Sequence, residues 1–418
     1  MQKHPFVMPM DKNIFILSKF LKAEQDNVEV YVVGGAVRDF LLHKFHGDST
    51  EEFEPKDYDI TTNLSEEEIL ERLQTSLAKK HGIKVKEKTS IDTFGVVFVN
   101  FRGKNYEVAP FRVDVGGDGR RPEKTQRGTL LEDAMRRDFT INNLYYDFES
   151  ESILDLNPNN SGIRDIQRKV IRCVGIPRQR FSEDKLRVLR MVRFFSRFNE
   201  SDIRDSLDEE HIQAIETYKD IETLSYERIQ AEFILGVQQS KHTYSYVMNL
   251  YNLGLLNRMF PNLKIDIESG VRKDVIQNHK SVAGVLAWIL RLNTGVYDSL
   301  NKLKYPSSIS RSVSFLIDAY FSNPQQMAKC IKERERLRHI GDFKEDLLFL
   351  SRSTNEYSKY LHLKYFSEYL GYEINPYILM DKGFNGPDLG KEIDRLTSEY
   401  YKNDFNEYID THLNTIPN

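Results

Sequence analysis

The sequence predicts an α+β fold, in which a head of mixed strands and helices is followed by a chain that is almost entirely helical. Residues 1 to about 150 alternate β-rich runs with short helical patterns and turn signals. From about residue 180 onward, apolar residues recur at helical spacing between Gly, Asn and Pro punctuation. A chain of 418 residues is long enough for several domains. We expect three, at residues 1–150, 151–238 and 239–418.

The composition excludes several classes of protein. With 40% hydrophobic and 29% charged residues, the chain has material for cores but no apolar run near the ~20 residues that a membrane helix needs. Cys173 and Cys330 are its only cysteines, which disfavours a disulfide framework or a thiolate zinc site. No secretory signal is visible, so we expect a cytoplasmic protein without a membrane partner. The net charge of −4 conceals a basic stretch, residues 164–197, of the kind that binds phosphate.

The first element with functional character is a β-rich run that stops at two glycines and restarts as a helix. Residues 27–33 read Asn-Val-Glu-Val-Tyr-Val-Val, and Gly34 and Gly35 follow. A helix N-terminus offers unpaired N–H groups and a partial positive charge to an anion. Arg38 lies in the first helical turn, where a phosphate partner would explain a cation. Gly34, Gly35 and Arg38 are therefore candidate triphosphate contacts, and an ordinary turn is the alternative.

Two carboxylates come next, in residues 57–59 (Asp-Tyr-Asp). Side chains two apart in a strand point to the same face, so Asp57 and Asp59 would project together and bind divalent metal. Two Mg²⁺ ions, with Mn²⁺ as the alternative, would hold an attacking hydroxyl and a leaving pyrophosphate in line. Residues 105–111 read as a later strand, and Glu107 on it would complete a catalytic set of three carboxylates. An exposed glutamate on an edge strand is the other interpretation of Glu107.

A polar segment and a charged run follow. Residues 114–130 contain four glycines and are interpreted as a mobile arm near the site, because the segment is too long for an ordinary connection. Arg137 and Asp138 could bind a ribose, since the carboxylate accepts from a hydroxyl and the guanidinium donates back. A surface ion pair between these two residues is the alternative.

The segment from residue 183 to 198 has the spacing of a single helix with one basic stripe. The stripe consists of Arg187, Arg190, Arg193 and Arg197. Asp184 would lie one turn before Arg187, where the two could read a base together. Cytosine and adenine both present an NH₂ donor beside a ring-nitrogen acceptor, whereas guanine and uracil present a carbonyl beside an N–H. The pair would thus admit CTP and ATP, and a solvated basic face is the alternative.

Taken in chain order, these segments resemble the motifs of the class II tRNA nucleotidyltransferases. The matching runs are residues 34–39 (Gly-Gly-Ala-Val-Arg-Asp), 57–59, 136–142 (Arg-Arg-Asp-Phe-Thr-Ile-Asn), 162–175, 180–187 (Arg-Phe-Ser-Glu-Asp-Lys-Leu-Arg) and 224–233. This family comprises the CCA-adding enzymes and the similar bacterial poly(A) polymerases. The resemblance covers about residues 28–235 and is thin beyond them.

The resemblance implies a polymerase-β-type nucleotidyltransferase head, followed by an all-helical neck, body and tail. The head would be catalytic, the neck would carry the base-reading motif, and residues 239–418 would bind the acceptor arm of tRNA. The implied contacts are metal by Asp57 and Asp59, triphosphate by Gly34, Gly35 and Arg38, ribose by Arg137 and Asp138, and base by Asp184 and Arg187. Glu183 would position the base-reading pair, and we add Arg190 as a phosphate contact.

The expected activity is template-independent addition of CCA to the 3′ end of tRNA from CTP and ATP, with release of pyrophosphate. A poly(A) polymerase, a partial enzyme adding only CC or only A, and a non-catalytic RNA-binding protein are the alternatives. Residues 93–100 lack the Gly-Arg-Arg-Phe-Arg type of stretch expected of the polymerase. The chain departs from the family pattern by an acidic insert at residues 47–54, and it gives no indication of oligomeric state.

Overall fold

The computed structural model describes most of the chain up to residue 353. It describes residues 2–47 apart from 24 and 26, residues 53, 55, 57–85, 95–116, 119, 123–267, 272–321 and 343–353, and residues 376–399 apart from 394, 397 and 398. The chain divides into two compact units, one formed by residues 1–229 and 248–258, the other by residues 230–247 and 259–418. The division into three domains at residues 150 and 238 stays a prediction.

Strands and short helices alternate along the first part of the chain. The strands are β1 (Gln2–Pro5), β2 (Val30–Val33), β3 (Asp59–Thr62), β4 (Ile83–Val85), β5 (Val97–Phe101), β6 (Lys104–Pro110), β7 (Arg112–Val115), β8 (Lys124–Arg127), β9 (Leu144–Asp147) and β10 (Ser152–Asp155). The helices among them are α1 (Lys12–Lys22), α2 (Gly35–His46), α3 (Glu66–Leu73), α4 (Ser76–Lys80), α5 (Leu130–Met135) and α6 (Gly162–Arg168). A 3₁₀ turn, Thr140–Asn142, precedes β9.

Eight of these strands form one mixed sheet in the order β1-β10-β9-β2-β3-β6-β5-β4. Neighbouring strands are antiparallel except β3 and β6, which run parallel. The central strand β2 is rich in valine, and Val30, Val32 and Val33 are buried, as expected of a β-branched run with neighbours on both sides. The centre of the sheet therefore presents the ends of β2 and β3 next to each other.

Helices dominate the rest of the described chain. They are α7 (Pro177–Glu183), α8 (Leu186–Phe198), α9 (Glu209–Tyr218), α10 (Tyr226–Gln239), α11 (Thr243–Asn252), α12 (Leu255–Met259), α13 (Lys273–Ile276), α14 (Val282–Leu290), α15 (Val296–Lys302), α16 (Ser307–Phe321) and the helices Phe343–Ser353 and Pro376–Asp381. The core of the second unit includes the buried Trp288 of α14 and a stack of Phe260 on Tyr305. The expected α+β class, a strand-containing head followed by a largely helical region, is confirmed.

In the described part of the chain, no helix has both the length and the apolarity to cross a bilayer. Three predictions concern segments outside the described residues, wholly or in part. They are the helix that the spacing of residues 324–339 predicts, the acidic insert at 47–54, of which 47 and 53 alone are described, and the arm at 114–130, which lacks 117, 118 and 120–122.

The described residues of that arm correct its interpretation as a segment without secondary structure. Strands β7 and β8 pair antiparallel, from Arg112 opposite Arg127 to Val115 opposite Lys124, so the segment is a β-hairpin. The helix α5 then starts at Leu130 with a capping box between Thr129 and Glu132. The two strands are four residues long and rich in charge, which hides them from a search for apolar alternation.

Candidate active site

The turn between β2 and α2 is one that glycine adopts without strain. Gly34 has φ +75° and ψ −123°, a conformation that disfavours any residue with a Cβ. A Cβ added to Gly34 would lie 3.5 Å from Asp59 Oδ2 and 3.9 Å from Arg137 Nη1. A carboxylate and a guanidinium therefore both lie next to the turn. Because Gly34 has no side chain, a ligand next to Asp59 and Arg137 can approach its backbone.

The carboxylates of Asp57 and Asp59 lie at the start of β3, and that of Glu107 lies midway along the neighbouring strand β6. Asp57 and Asp59 are exposed while Tyr58 between them is buried, so the two acids share a face although β3 itself begins at Asp59. In the parallel pair of β3 and β6, Asp59 stands opposite Glu107. Although Glu107 and Asp59 reach the surface, surrounding protein atoms displace part of their hydration. This desolvation, followed by the charges of Asp59 and Asp57, raises the pKa of Glu107. Desolvation also raises the pKa of Asp59, with Arg137 opposing the rise and Asp57 adding to it.

The donor set of Asp57 and Asp59 fits a divalent ion such as Mg²⁺. Carboxylate oxygens are hard ligands, and Mg²⁺ is commonly held by one or two of them together with waters and substrate phosphates. Among the residues that the structure describes, no three Asp, Glu, His or Cys side chains are grouped to hold an ion. Glu107 thus lies next to the pair without completing a preformed three-ligand site.

Arg38 is held inside the protein, with 8% of its surface exposed. Its Nε donates to Asp39 Oδ1 at 2.8 Å, and its Nη1 donates to Asn142 Oδ1 at 2.7 Å. Burial lowers the pKa of Arg38, and the charge of Asp39 opposes that shift. Its Nη2 lies 3.7 Å from the point that a Cβ of Gly35 would occupy. The guanidinium of Arg38 therefore lies close to the first residue of α2, the helix to which Arg38 belongs.

Arg137 and Asp138 are neighbours in sequence but have different partners. Arg137 donates to Asp133 and Tyr145, whereas Asp138 Oδ2 accepts from Arg190 Nε at 2.8 Å. Burial opposes ionisation of Asp138, but Arg190 outweighs it and the pKa of Asp138 falls to about 2. The structure therefore pairs Arg137 and Asp138 with other residues, and the alternative of an ion pair between the two is wrong.

The base-reading motif lies at a break between two helices, which corrects the predicted continuous helix from 183 to 198. Helix α7 ends at Glu183, Asp184 is extended with φ −155° and ψ 104°, and α8 begins at Leu186. Asp184 Oδ1 accepts from the N–H of Leu186 at 3.0 Å, a local turn that aspartate favours over continued helix. Its Oδ2 accepts from Arg228 Nη2 at 2.7 Å.

Arg187, one residue into α8, is buried, and both of its terminal nitrogens donate hydrogen bonds within the protein. Its Nη1 donates to Glu183 Oε2 at 2.6 Å and to the carbonyl of Arg180 at 2.9 Å. Its Nη2 donates to the carbonyl of Arg136 at 2.8 Å. Glu183 thus holds Arg187 across the helix break. Because Arg187 and Arg193 are buried, the alternative of a solvated basic face is wrong for this helix.

A cavity of about 760 Å³ lies among these groups. Its lining includes Arg112, Asp114, Arg136, Arg137, Asp138, Glu183, Asp184, Arg187, Arg190 and Arg228. The volume is in the range of ligand pockets. The hairpin, the ribose candidate and the base-reading motif therefore border one space.

Sequence reasoning missed several residues that hold this site together. They are Asp133, Asn142, Tyr145, Arg180 and Arg228. Asp133 could have been found, because Arg136 and Arg137 follow it at the spacings that pair on a helix. Asn142 carries no such signal, since its partner Arg38 is distant in sequence. Tyr145 is near Arg137 in sequence but has the pattern of an ordinary buried strand residue.

Comparisons with known proteins identify a family model, similar sequences and a similar solved structure. Residues 30–172 match the model of the poly A polymerase head domain. The chain is 39% identical over 220 residues to the CCA-adding enzyme of Lactobacillus delbrueckii subsp. bulgaricus, covering 51% of this chain and 47% of that protein. It is 32% identical over 318 residues to the CCA-adding enzyme of Oceanobacillus iheyensis, covering 73% and 72%.

The fold is also similar to that of a solved structure, the Bacillus stearothermophilus CCA-adding enzyme in complex with CTP. The TM-score is 0.65 at 21% identity, and the alignment covers 94% of each chain. At that identity the likeness concerns the fold. By sequence, the chain spans about half the length of the Lactobacillus relative that it matches.

Proposed function

Because this chain belongs to the family of the CCA-adding enzymes, we propose that it adds C, C and A to the 3′ end of tRNA from CTP and ATP. The terminal hydroxyl of the tRNA attacks the α-phosphate of the nucleotide, a new phosphodiester bond forms, and pyrophosphate leaves. No nucleic-acid template takes part, so the protein itself must select the base. The partner is the acceptor arm of tRNA, for which the helical region after residue 238 is the proposed binding surface.

The observation that supports this function most is the place of Arg137 between two groups of residues. On one side its Nη1 faces the Gly34 turn and Asp59. On the other side Arg137 lines the cavity that also contains Asp138, Asp184 and Arg187. A nucleoside triphosphate needs this arrangement, because its phosphates, ribose and base form one continuous ligand.

Asp57 and Asp59 are the residues that would hold divalent metal, with Glu107 beside them. The bound ions, which we take as two Mg²⁺ or Mn²⁺, would supply Lewis-acid stabilisation of the charge that develops on the phosphate oxygens. Gly34 lets the phosphates approach the backbone at the start of α2, whose N–H groups and dipole favour an anion. Arg38 adds a buried positive charge behind that turn.

Asp138 is the proposed contact of the ribose, because it is ionised and fixed by Arg190 and Asn142. Its carboxylate accepts a hydrogen bond from a 2′-hydroxyl, which a deoxynucleotide lacks. The role of Arg190 is then to hold Asp138, in place of the phosphate contact expected from its position on the helix. The cytoplasm is the proposed location.

Asp184 and Arg187 are the proposed base-reading pair. The carboxylate accepts from the exocyclic NH₂ of cytosine or adenine, and the guanidinium donates to the adjacent ring nitrogen. Guanine and uracil invert both groups, and each unpaired buried group costs about 1–3 kcal/mol. Glu183 and Arg228 position the pair, since Glu183 binds Arg187 and Arg228 binds Asp184.

A poly(A) polymerase is the second candidate, favoured by the match of residues 30–172 to the head domain of that name. The two functions differ in when the reaction stops. A CCA-adding enzyme ends after three nucleotides, whereas a polymerase continues with ATP alone.

The test is the length of the product formed on tRNA that lacks its three terminal nucleotides. With CTP and ATP together we expect a single band three nucleotides longer, and with ATP alone poor extension. Asp59→Asn should give no extension, while Glu71→Gln, a change of an exposed carboxylate on α3, should match the unchanged protein. Long heterogeneous tails from ATP alone would favour the polymerase. Extension by Asp59→Asn at a tenth or more of the normal rate would contradict the metal site.

A further inference from the structure

Arg137 is held by a closed ring of hydrogen bonds. Its Nε donates to Tyr145 Oη at 2.8 Å, and its Nη2 donates to Asp133 Oδ2 at 2.9 Å. The hydroxyl of Tyr145 donates in turn to the same Asp133 oxygen at 2.8 Å. Asp133 and Tyr145 are both fully buried. Two of the three nitrogens of the guanidinium are thereby fixed from within the protein.

The third nitrogen, Nη1, points to the phosphate turn. It lies 3.9 Å from the position that a Cβ of Gly34 would occupy, and Asp59 Oδ2 lies 3.5 Å from the same point. Asp138, the ribose candidate, is bound to Arg190 instead. The geometry thus separates Arg137 from Asp138 and associates it with the Gly34 turn.

Tyr145, which binds Arg137, and the Gly34 turn belong to the same pair of strands, β9 and β2. Tyr145 of β9 stands opposite Val33, the last residue of β2, and the N–H of Gly34 donates to the carbonyl of Leu144 at 3.4 Å. Tyr145 also packs with Val33 and Ala134 in a buried cluster. The strand pairing therefore fixes the position of Tyr145, whose hydroxyl binds Arg137, relative to Gly34.

The charge of the cluster leaves Arg137 able to attract an anion. Asp133 Oδ1 accepts from Arg136 at 2.6 Å while its Oδ2 binds Arg137, so one carboxylate serves two guanidiniums. The three side chains together carry one net positive charge. A fork of N–H donors held in one orientation suits a phosphate oxygen.

We propose that Tyr145 and Asp133 are positioning residues that hold Arg137 over the Gly34 turn for the triphosphate of the incoming nucleotide. Recognition of the ribose is then carried by Asp138 without Arg137. This inference rests on the proposed function, since it assigns parts of the same nucleotide site.

The test compares Tyr145→Phe with Tyr146→Phe. Both tyrosines are buried neighbours on β9, and both substitutions delete one hydroxyl. The hydroxyl of Tyr146 accepts from the N–H of Met8 at 3.2 Å, away from Arg137. The pair is therefore matched for size and burial, although Tyr145→Phe removes two hydrogen bonds and Tyr146→Phe removes one. The measurements are KM and kcat for CTP, binding of inorganic tripolyphosphate with Mg²⁺ by calorimetry, and the ratio of CTP to dCTP use.

For Tyr145→Phe we expect KM for CTP and the Kd of tripolyphosphate to rise about tenfold, the size of one lost hydrogen bond to a charged group. The kcat should change less than KM, and the CTP to dCTP ratio should stay unchanged. Tyr146→Phe should leave all four values within about twofold of the unchanged protein.

Equal effects of the two substitutions would overturn the inference, as would an unchanged Kd for tripolyphosphate in Tyr145→Phe. A fall in the CTP to dCTP ratio for Tyr145→Phe would also overturn it and return Arg137 to the ribose. If the unchanged protein adds no nucleotide to tRNA, the proposed function fails. Calorimetry with tripolyphosphate still decides the inference in that case, because it needs no turnover.

Discussion

The guanidinium of Arg187 is held in place by hydrogen bonds within the protein. It donates to Glu183 and to the carbonyls of Arg180 and Arg136, so its guanidinium is oriented before any nucleotide arrives. A side chain held in this way loses little conformational entropy on binding. The proposed role of Arg187 in base recognition predicts that its loss damages selection of the nucleotide more than turnover.

Arg187→Ala should relax the choice among the four nucleotides by about tenfold or more, because each buried group that a wrong base leaves unpaired costs about 1–3 kcal/mol at an intact pair. Single-turnover incorporation of CTP, ATP, UTP and GTP measures the effect. Arg178→Ala, which removes an exposed arginine from α7, is the control and should leave selection unchanged. Undiminished rejection of UTP and GTP by Arg187→Ala would place base reading elsewhere.

At this scale the sequence predicts residues that act through their own chemistry. Asp57 and Asp59 are found because a two-residue spacing puts both on one face, and Glu107 because it lies on the face of its strand opposite the apolar Tyr106 and Val108. The partner of Asp138 could not be found, because Arg190 reaches it from a helix more than fifty residues away in the chain. Tyr145 is missed for another reason, since a buried tyrosine in a strand is expected to have an ordinary apolar role.

The hairpin of β7 and β8 contacts the segment for which we propose base reading. The carbonyl of Gly119, at its tip, accepts from the N–H of Lys185 at 2.9 Å, in the break between α7 and α8. Arg112 and Asp114 of β7 line the cavity. Cytosine and adenine share an edge pattern and differ in size, so a contact of this kind can adjust the space next to Asp184.

Deleting residues 118–121 should preserve addition of two C residues and impair addition of the final A. Product lengths on shortened tRNA measure it, as the ratio of plus-two to plus-three species with both nucleotides present. Deleting residues 48–51 of the acidic insert removes the same number of residues and should leave the ratio unchanged. If both steps decline equally after the first deletion, the hairpin tip is needed for folding alone.

The helix break at Asp184 shows what the spacing of apolar residues cannot indicate. Leu186, Leu189 and Val192 continue the pattern without interruption, so the segment reads as one helix from residue 183. The interruption depends on one side-chain oxygen, Asp184 Oδ1, and on the salt bridge of Asp184 to Arg228. The helical patterns of residues 226–238 and 244–251 predict α10 and α11 to within a residue or two at each end, because each pattern is regular and is ended by polar or glycine-containing turns.

For the molecule as a whole, buried carboxylates couple stability to pH. The pKa of Asp133 falls to about 2, since Arg137 and Arg136 outweigh the effect of burial. An unfolded chain has an aspartate pKa of about 3.9. The stabilisation is therefore fully present above pH ~4 and is lost as the pH falls toward 2, with a magnitude of about 2 kcal/mol.

Asp133→Asn should lower the free energy of unfolding at pH 7, and the difference from the unchanged protein should shrink below pH 4. Urea titrations between pH 7 and 3 measure it. Asp205→Asn, at an exposed aspartate, is the control and should give a small difference that does not vary with pH. A difference for Asp133→Asn that is constant down to pH 3 would contradict the assigned pKa.

The parallel pairing of β3 with β6 has a consequence for synthesis of the chain. Asp59 and Glu107 become neighbours only after a crossover of about fifty residues has closed, and such long-range parallel pairing is slow compared with local helix formation. A ribosome releases residues 57–59 well before residues 104–110. The nascent chain therefore displays its acidic pair on an unfinished sheet edge, and it acquires the floor of the nucleotide site only once the sixth strand has emerged.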